Sequence, residues 1–100
     1  MKIAPEKDDD GTYIYNSGIT FKGTLDQDNK RQGSGTLKDE GYVYEGEFLN
    51  DLPNGSGKET RRGITYEGSF ASGYYSGSGK LTFPNGRQYI GNFLNHQYNG

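Results

Sequence analysis

Two glycine–lysine pairs in this chain resemble the end of a phosphate-binding loop, in which backbone amides cradle phosphate groups. Such a loop needs a glycine five positions before its last glycine and a serine or threonine after the lysine. At Gly79–Lys80 these positions hold Tyr74 and Leu81, and Gly57–Lys58 fails in the same way. The third glycine of the dinucleotide-binding pattern is missing as well. The glycines therefore predict no nucleotide site.

Metal chemistry has two further candidates. Asp26–Lys30 begins like a calcium-binding loop, but Lys30 occupies a position that needs an oxygen ligand and no bidentate glutamate follows. The chain has no cysteine and one histidine, His96, so neither a thiolate zinc site nor a nucleophilic triad can be assembled. We predict a polar hairpin tip at residues 26–30 and neither a metal site nor a cofactor.

Acid–base catalysis would need two carboxyl groups in a shielded pocket that separates their pKa values. The best candidates, Glu45, Glu47 and Glu67, alternate with apolar residues and are expected on the exposed face of successive strands, with Lys22 as an opposite charge. Such groups form weak cross-strand pairs. The sequence therefore predicts a protein that is not an enzyme.

The composition limits the class of protein. Only 29% of the 100 residues are hydrophobic, which is close to the range of disordered chains, yet nine tyrosines and five phenylalanines argue for a folded domain. The formal net charge of -2 resides in the first ten residues, so the remainder is electroneutral and unsuited to nucleic acid. The N-terminus lacks the apolar segment of a signal peptide, so a cytoplasmic location is expected.

The glycines recur in register. The pattern G-x-x-[YF]-x-G starts at Gly18, Gly41, Gly63 and Gly86, at intervals of 23, 22 and 23 residues, and Gly-Ser-Gly recurs every 22 residues between these copies. We predict an acidic, flexible tail followed by a half unit, three full units and an incomplete unit. Their bounds are 1–10, 11–18, 19–41, 42–63, 64–86 and 87–100.

One unit reads as a β-hairpin. Alternate residues of a strand share a face, so Tyr44 and Phe48 lie on one face with Gly46 between them, whereas Glu45 and Glu47 lie on the other. A six-residue link, 49–54, is expected before the second strand. Glycine weakens a strand, and its place on the apolar face predicts that aromatic rings lie flat on the bare backbone.

The pattern resembles the MORN (membrane occupation and recognition nexus) repeat. Tyr44–Asn50 with Asn54–Gly57 matches its consensus, although Asp51 stands where glycine is usual, and Tyr66–Gly73 with Gly77–Gly79 matches a second copy. The first copy departs most, with Phe21 for tyrosine. The resemblance covers residues 11–100 and implies an all-β fold, an elongated, twisted, single-layer antiparallel meander of β-hairpins.

The resemblance also implies a non-catalytic scaffold or protein-interaction module, in a cytoskeletal, ciliary or flagellar assembly. The expected partner is a protein that binds as a peptide or helix on the aromatic face or as a strand at the C-terminal edge. We expect an unpaired strand at 89–93 there, because the sequence stops at Gly100. A homodimer is a further possibility. The alternatives are a phosphoinositide-binding module, disfavoured by the balanced charge, and a regulatory fragment of a larger enzyme. The candidate partner-binding residues are Tyr44, Phe48, Tyr66, Phe70, Tyr74, Tyr75, Tyr89, Phe93 and Tyr98.

Overall fold

A computed structural model describes residues 5–94 and 97–98 as one antiparallel sheet of ten strands, whose order in the sheet follows the chain. The strands are β1 (Glu6–Lys7), β2 (Thr12–Ile14), β3 (Thr20–Leu25), β4 (Arg31–Asp39), β5 (Tyr42–Leu49), β6 (Leu52–Arg61), β7 (Ile64–Ala71), β8 (Tyr74–Thr82), β9 (Gln88–Leu94) and β10 (Gln97–Tyr98). The predicted meander of β-hairpins is confirmed. The molecule measures 42 × 25 × 22 Å along its principal axes.

Two-residue turns join several pairs of consecutive strands, both within a unit and between units. Asn50 and Asp51 have φ angles of 50° and 76°, and the pairs Arg62–Gly63 and Ser72–Gly73 also have two positive φ angles. This is the type I′ geometry, whose twist matches that of the flanking strands. The predicted six-residue link at 49–54 is therefore wrong, because Asn50 and Asp51 accept the left-handed conformation and β6 already begins at Leu52.

Aromatic rings lie on paired glycines, as predicted. Gly46 is opposite Gly57 and Gly68 is opposite Gly79 in the strand register. A Cβ atom on Gly57 would lie only 2.6 Å from Cε1 of Tyr44, so no larger residue fits beneath that ring. The tyrosine hydroxyl donates a hydrogen bond to the carbonyl of the bulged residue three positions on, at 2.7 Å for Tyr44. Glycine and tyrosine therefore form one packing unit.

The core is one row of rings that runs through all the units. The ring of Tyr44 meets Phe48 of its own unit and Phe70 of the next unit edge-on, each at 5.0 Å between centroids. Tyr66 repeats this arrangement with Phe70 and Phe93. Edge-to-face pairs at this distance are favourable beyond the area they bury. The buried hydrophobic residues are Phe21, Tyr44, Phe48, Tyr66, Phe70, Leu81 and Phe93.

Short strands pair at both ends of the sheet. β1 lies within the predicted acidic tail and pairs with β2, and the carboxylate of Asp8 closes the turn between them by accepting hydrogen bonds from the amides of Asp10 and Thr12. At the other end β10 pairs with Phe93 and Leu94, so the predicted unpaired edge at 89–93 is wrong for Phe93, whereas residues 88–92 pair with β8 alone among the described strands. His96 and Gly100 lie outside the described residues.

Candidate interaction surface

The outer face of the sheet, opposite the rings, carries charges of alternating sign. Glu45, Lys58, Glu67 and Lys80 lie side by side on four successive strands. The predicted exposure of Glu45, Glu47 and Glu67 is confirmed. Lys58 lies opposite Glu45 and Glu67, and Lys80 lies opposite Glu67, whereas Lys22 lies 3.5 Å from Asp10. The signs cancel along this face, so it offers no charged stripe to a partner.

The aromatic face is closed over most of its length. Five of the nine candidate partner-binding residues are buried in the core, namely Tyr44, Phe48, Tyr66, Phe70 and Phe93. Tyr75 and Tyr89 are half-buried, and Tyr74 is 50% exposed at a hairpin tip. Tyr98 lies in β10, and its side chain is outside what the structure describes. The structure therefore brings most of the candidates together as a core under the surface.

A buried carboxylate, which sequence reasoning missed, interrupts this core. Glu59 is 2% exposed and lies between Tyr44 and Tyr66 in the strand register. Tyr75 stacks on Tyr66, with 3.9 Å between ring centroids, and its hydroxyl donates a short hydrogen bond to Glu59. Arg61 donates a second bond to Glu59 at 3.3 Å. These bonds offset the cost of removing the carboxylate from water.

Arg61 also links this network to another ring. Its guanidinium lies 5.1 Å from the centroid of the Tyr42 ring, within cation–π range. Burial is the main cause that raises the pKa of Tyr42 to about 12, and the nearby Glu59 adds to it. Burial and then the bond to Glu59 also raise the pKa of Tyr75. Both hydroxyls therefore stay protonated at neutral pH.

Comparison of the repeats shows what signal the sequence contains for this network. Glu59 follows the second glycine of Gly-Ser-Gly by two residues, and the same position holds Leu37 and Leu81 in the flanking units. One acidic residue in a column of leucines is a local conflict of the kind that marks a functional or specificity-determining position. The network uses Arg61 and Tyr75, which the strand register brings to the same face.

A second network joins the tips of two neighbouring hairpins. Nε of Arg31 lies 2.9 Å from the carboxylate of Asp51, and the two residues also exchange backbone contacts. The guanidinium of Arg31 lies near the rings of Tyr15, Phe21 and Phe48. The contacts with Arg31 explain why Asp51 stands at a position where the repeat consensus has glycine.

An open cleft lies at the end of the aromatic face, next to the turn between β8 and β9. This aromatic cleft has a volume of about 640 Å³ and is lined by Phe83, Pro84, Asn85, Arg87, Gln88 and Tyr89. Phe83 and Tyr89 are half-buried and pack against the core, so the walls are two rings and a proline. The cleft can therefore hold an apolar group.

The turn fixes the polar rim of the aromatic cleft. The amide of Phe83 donates to the carbonyl of Arg87 and the amide of Gly86 donates to the carbonyl of Phe83, both at 2.9 Å. The amide of Arg87 donates to the side chain of Asn85 at 3.0 Å. Gly86 takes a φ of 90°, in the left-handed region that glycine accepts without strain. The side chain of Arg87 is thus presented from a fixed backbone.

Within residues 5–94 and 97–98, no three histidine, cysteine, aspartate or glutamate side chains are grouped so that they could hold a metal ion. The same residues include no helix with the length and apolarity needed to cross a membrane.

Comparison with known proteins identifies the repeats. The sequence model of a family described as MORN repeat matches residues 27–40, 44–62 and 66–86, which together make up just over half of the chain. No curated protein matches the chain. The matched segments include the ring-on-glycine units around Tyr44 and Tyr66. Of the residues that line the aromatic cleft, they include Phe83, Pro84 and Asn85, whereas Arg87, Gln88 and Tyr89 follow the last match.

Proposed function

Because the chain belongs to the MORN repeat family, we propose that it is a non-catalytic scaffold that binds a protein partner at its aromatic cleft. Repeats of this family form interaction or membrane-associated modules and are generally non-catalytic. A cytoskeletal or ciliary assembly is the setting that we propose for this chain, on the family resemblance.

The aromatic cleft is the observation that carries this proposal. Elsewhere on the aromatic face the rings cover one another, because each tyrosine is flanked by the phenylalanines of two units. At Phe83 and Tyr89 the rings line an open space of about 640 Å³ instead. Concave sites with aromatic walls and a few polar groups are typical of peptide and ligand recognition.

A protein partner fits this surface better than an anionic lipid. Lipid recognition requires a cluster of basic side chains. On the outer face lysines alternate with glutamates, and Arg31 and Arg61 are paired with acidic residues. Among the six residues that line the aromatic cleft, Arg87 is the one charged group.

Site-specific photo-crosslinking tests the proposed function. A benzophenone amino acid would replace Gln88, which lines the aromatic cleft, or Leu52, a 45% exposed side chain at the opposite end of the hairpins. Each variant would be irradiated in extract of the source cells, and the conjugates identified by mass spectrometry. We expect the Gln88 variant to crosslink a specific protein, which can be a second copy of the chain, and the Leu52 variant to crosslink it much less.

Equal crosslinking from both positions, or conjugates from Leu52 alone, would contradict the proposal. Lipid conjugates at Gln88, together with flotation of the unmodified protein on phosphoinositide vesicles at physiological salt, would favour the membrane alternative. Circular dichroism of each variant before irradiation controls for loss of the fold.

A further inference from the structure

The aromatic cleft has an unmatched positive charge. Arg87 is exposed, and its guanidinium makes no ion pair within 4.0 Å among the described residues. The other lining residues are two rings, a proline and two amides, which carry no charge. A guanidinium next to an apolar space matches a ligand that combines an apolar group with a carboxylate.

The chain contains such a combination one unit earlier. There the guanidinium of Arg61 lies over the ring of Tyr42 and bonds to the carboxylate of Glu59. In the next unit, Leu81 occupies the position of Glu59 and Phe83 that of Arg61, so the part of the sheet beside Arg87 has rings but no acid at these positions. A carboxylate from outside would complete the group.

We infer that the aromatic cleft binds a peptide segment in which an aromatic or aliphatic side chain is next to an aspartate or glutamate. The apolar side chain packs between Phe83 and Tyr89, and the carboxylate pairs with Arg87. This inference rests on the proposed function, since it names the chemistry of the partner at the same cleft. Arg87 is exposed, so the ion pair adds selectivity of a few fold rather than most of the affinity.

An NMR titration with two synthetic peptides tests the inference. Both are octapeptides with blocked ends and a central phenylalanine, and they differ only in the residue before it, glutamate or glutamine. We expect both to shift the amide signals of Phe83 and Tyr89, and the glutamate peptide to bind about threefold tighter at low salt. Only that peptide should shift the Nε–H signal of Arg87, and 1 M salt should remove its advantage.

Two variants assign the selectivity. Arg87→Gln should abolish the preference for glutamate, because the neutral side chain keeps hydrogen-bonding capacity without the charge. Arg62→Gln, which changes an exposed arginine in another hairpin turn, should leave the preference intact. Both positions are in or next to turns at the surface, so the fold should persist in each.

Each outcome has a distinct meaning. If both peptides bind the aromatic cleft equally well, or if the preference survives in Arg87→Gln, the inference is overturned and the proposed function stands. If a glutamine peptide with a free C-terminal carboxylate binds tighter than the blocked glutamate peptide, the side-chain acid is the wrong source. If neither peptide shifts the cleft signals, the inference fails, and crosslinking from Gln88 decides separately on the proposed function.

Discussion

Glu59 shows how one residue changes the chemistry of a repeat. The neighbouring units have leucine at this position, and the fold accepts a buried carboxylate here because Tyr75 and Arg61 each donate a hydrogen bond to it. A buried charge depends on its partners to offset the cost of desolvation, so the loss of one partner is strongly destabilising. The network therefore ties the second strand of one unit to the next unit.

Removal of the Tyr75 hydroxyl should show how much the stability of the fold depends on the hydrogen bond to Glu59. Tyr75→Phe keeps the stacking on Tyr66 but removes one of the hydrogen bonds that Glu59 accepts. We expect a loss of about 1 to 3 kcal/mol in the free energy of unfolding, measured by urea denaturation. The double variant Tyr75→Phe with Glu59→Leu should recover most of the loss. Equal stability of Tyr75→Phe and the parent would show that the bond contributes nothing.

Stability should also fall at high pH. Burial raises the pKa of Tyr42 to about 12 from its ordinary value of 10.0, so folding favours the protonated hydroxyl. A raised folded-state pKa means stability that is complete below pH 10 and is lost as the pH rises towards 12. Urea midpoints between pH 8 and 12 would measure the decline. Tyr42→Phe should decline less steeply, and an identical profile would exclude Tyr42 as a cause.

Each hairpin depends on a ring that lies over a pair of glycines. The same arrangement recurs at Tyr44 with Gly57 and at Tyr66 with Gly79, and in both hairpins a bulge between glycine and phenylalanine turns the tyrosine hydroxyl towards the bulged carbonyl. This element was predictable, because the period of two places tyrosine, glycine and phenylalanine on one face.

A methyl group on such a glycine should displace the ring. A Cβ atom on Gly79 would lie 2.5 Å from Cε1 of Tyr66, so Gly79→Ala should lower the free energy of unfolding by about 2 to 3 kcal/mol. Ser78→Ala, at an exposed position of the same strand, is the matched control and should change stability by less than about 0.5 kcal/mol. Similar effects of both changes would contradict the ring-on-glycine account.

The ion pair between Arg31 and Asp51 connects the tips of two neighbouring hairpins. Asp51→Asn keeps a residue that tolerates the positive φ of 76° but removes the charge that faces Arg31. We expect a loss of about 1 kcal/mol in thermal or urea denaturation, because the pair is partly buried. The change should have almost no effect in an Arg31→Met background, and an undiminished effect there would show that the ion pair is not its source.

At the scale of the whole molecule, strand order follows chain order, so each strand bonds only to its neighbours in sequence. The repeat register predicted the hairpins, and the resemblance to MORN repeats implied that they form a meander. The length of the turn at Asn50–Asp51 was not predictable, because it depends on left-handed conformations that asparagine and aspartate merely tolerate. Tyr44 and Phe70 were candidate partner-binding residues, whereas the structure packs their rings edge-on against each other in the core.

The aromatic cleft could be anticipated only in part. The sequence placed Tyr89 on the aromatic face. That Phe83 and Arg87 line the same cleft as Tyr89 depends on the conformation of the turn at 84–87, which the sequence did not predict. In an earlier unit, Arg61 stands at the position of Phe83 and Tyr42 at that of Arg87, and there the arginine packs on the tyrosine ring. Function is therefore proposed where the repeat pattern leaves an apolar space and an unmatched charge.

The central claim, that a protein partner occupies the aromatic cleft, is tested most directly by carbene footprinting of the protein alone and in complex with the partner that Gln88 crosslinks. We predict that labelling of Phe83, Arg87 and Tyr89 falls severalfold in the complex, while that of Leu52 and Ile90, which are exposed elsewhere, is unchanged. Protection of Leu52 or Ile90 with undiminished labelling of Phe83, Arg87 and Tyr89 would contradict the claim.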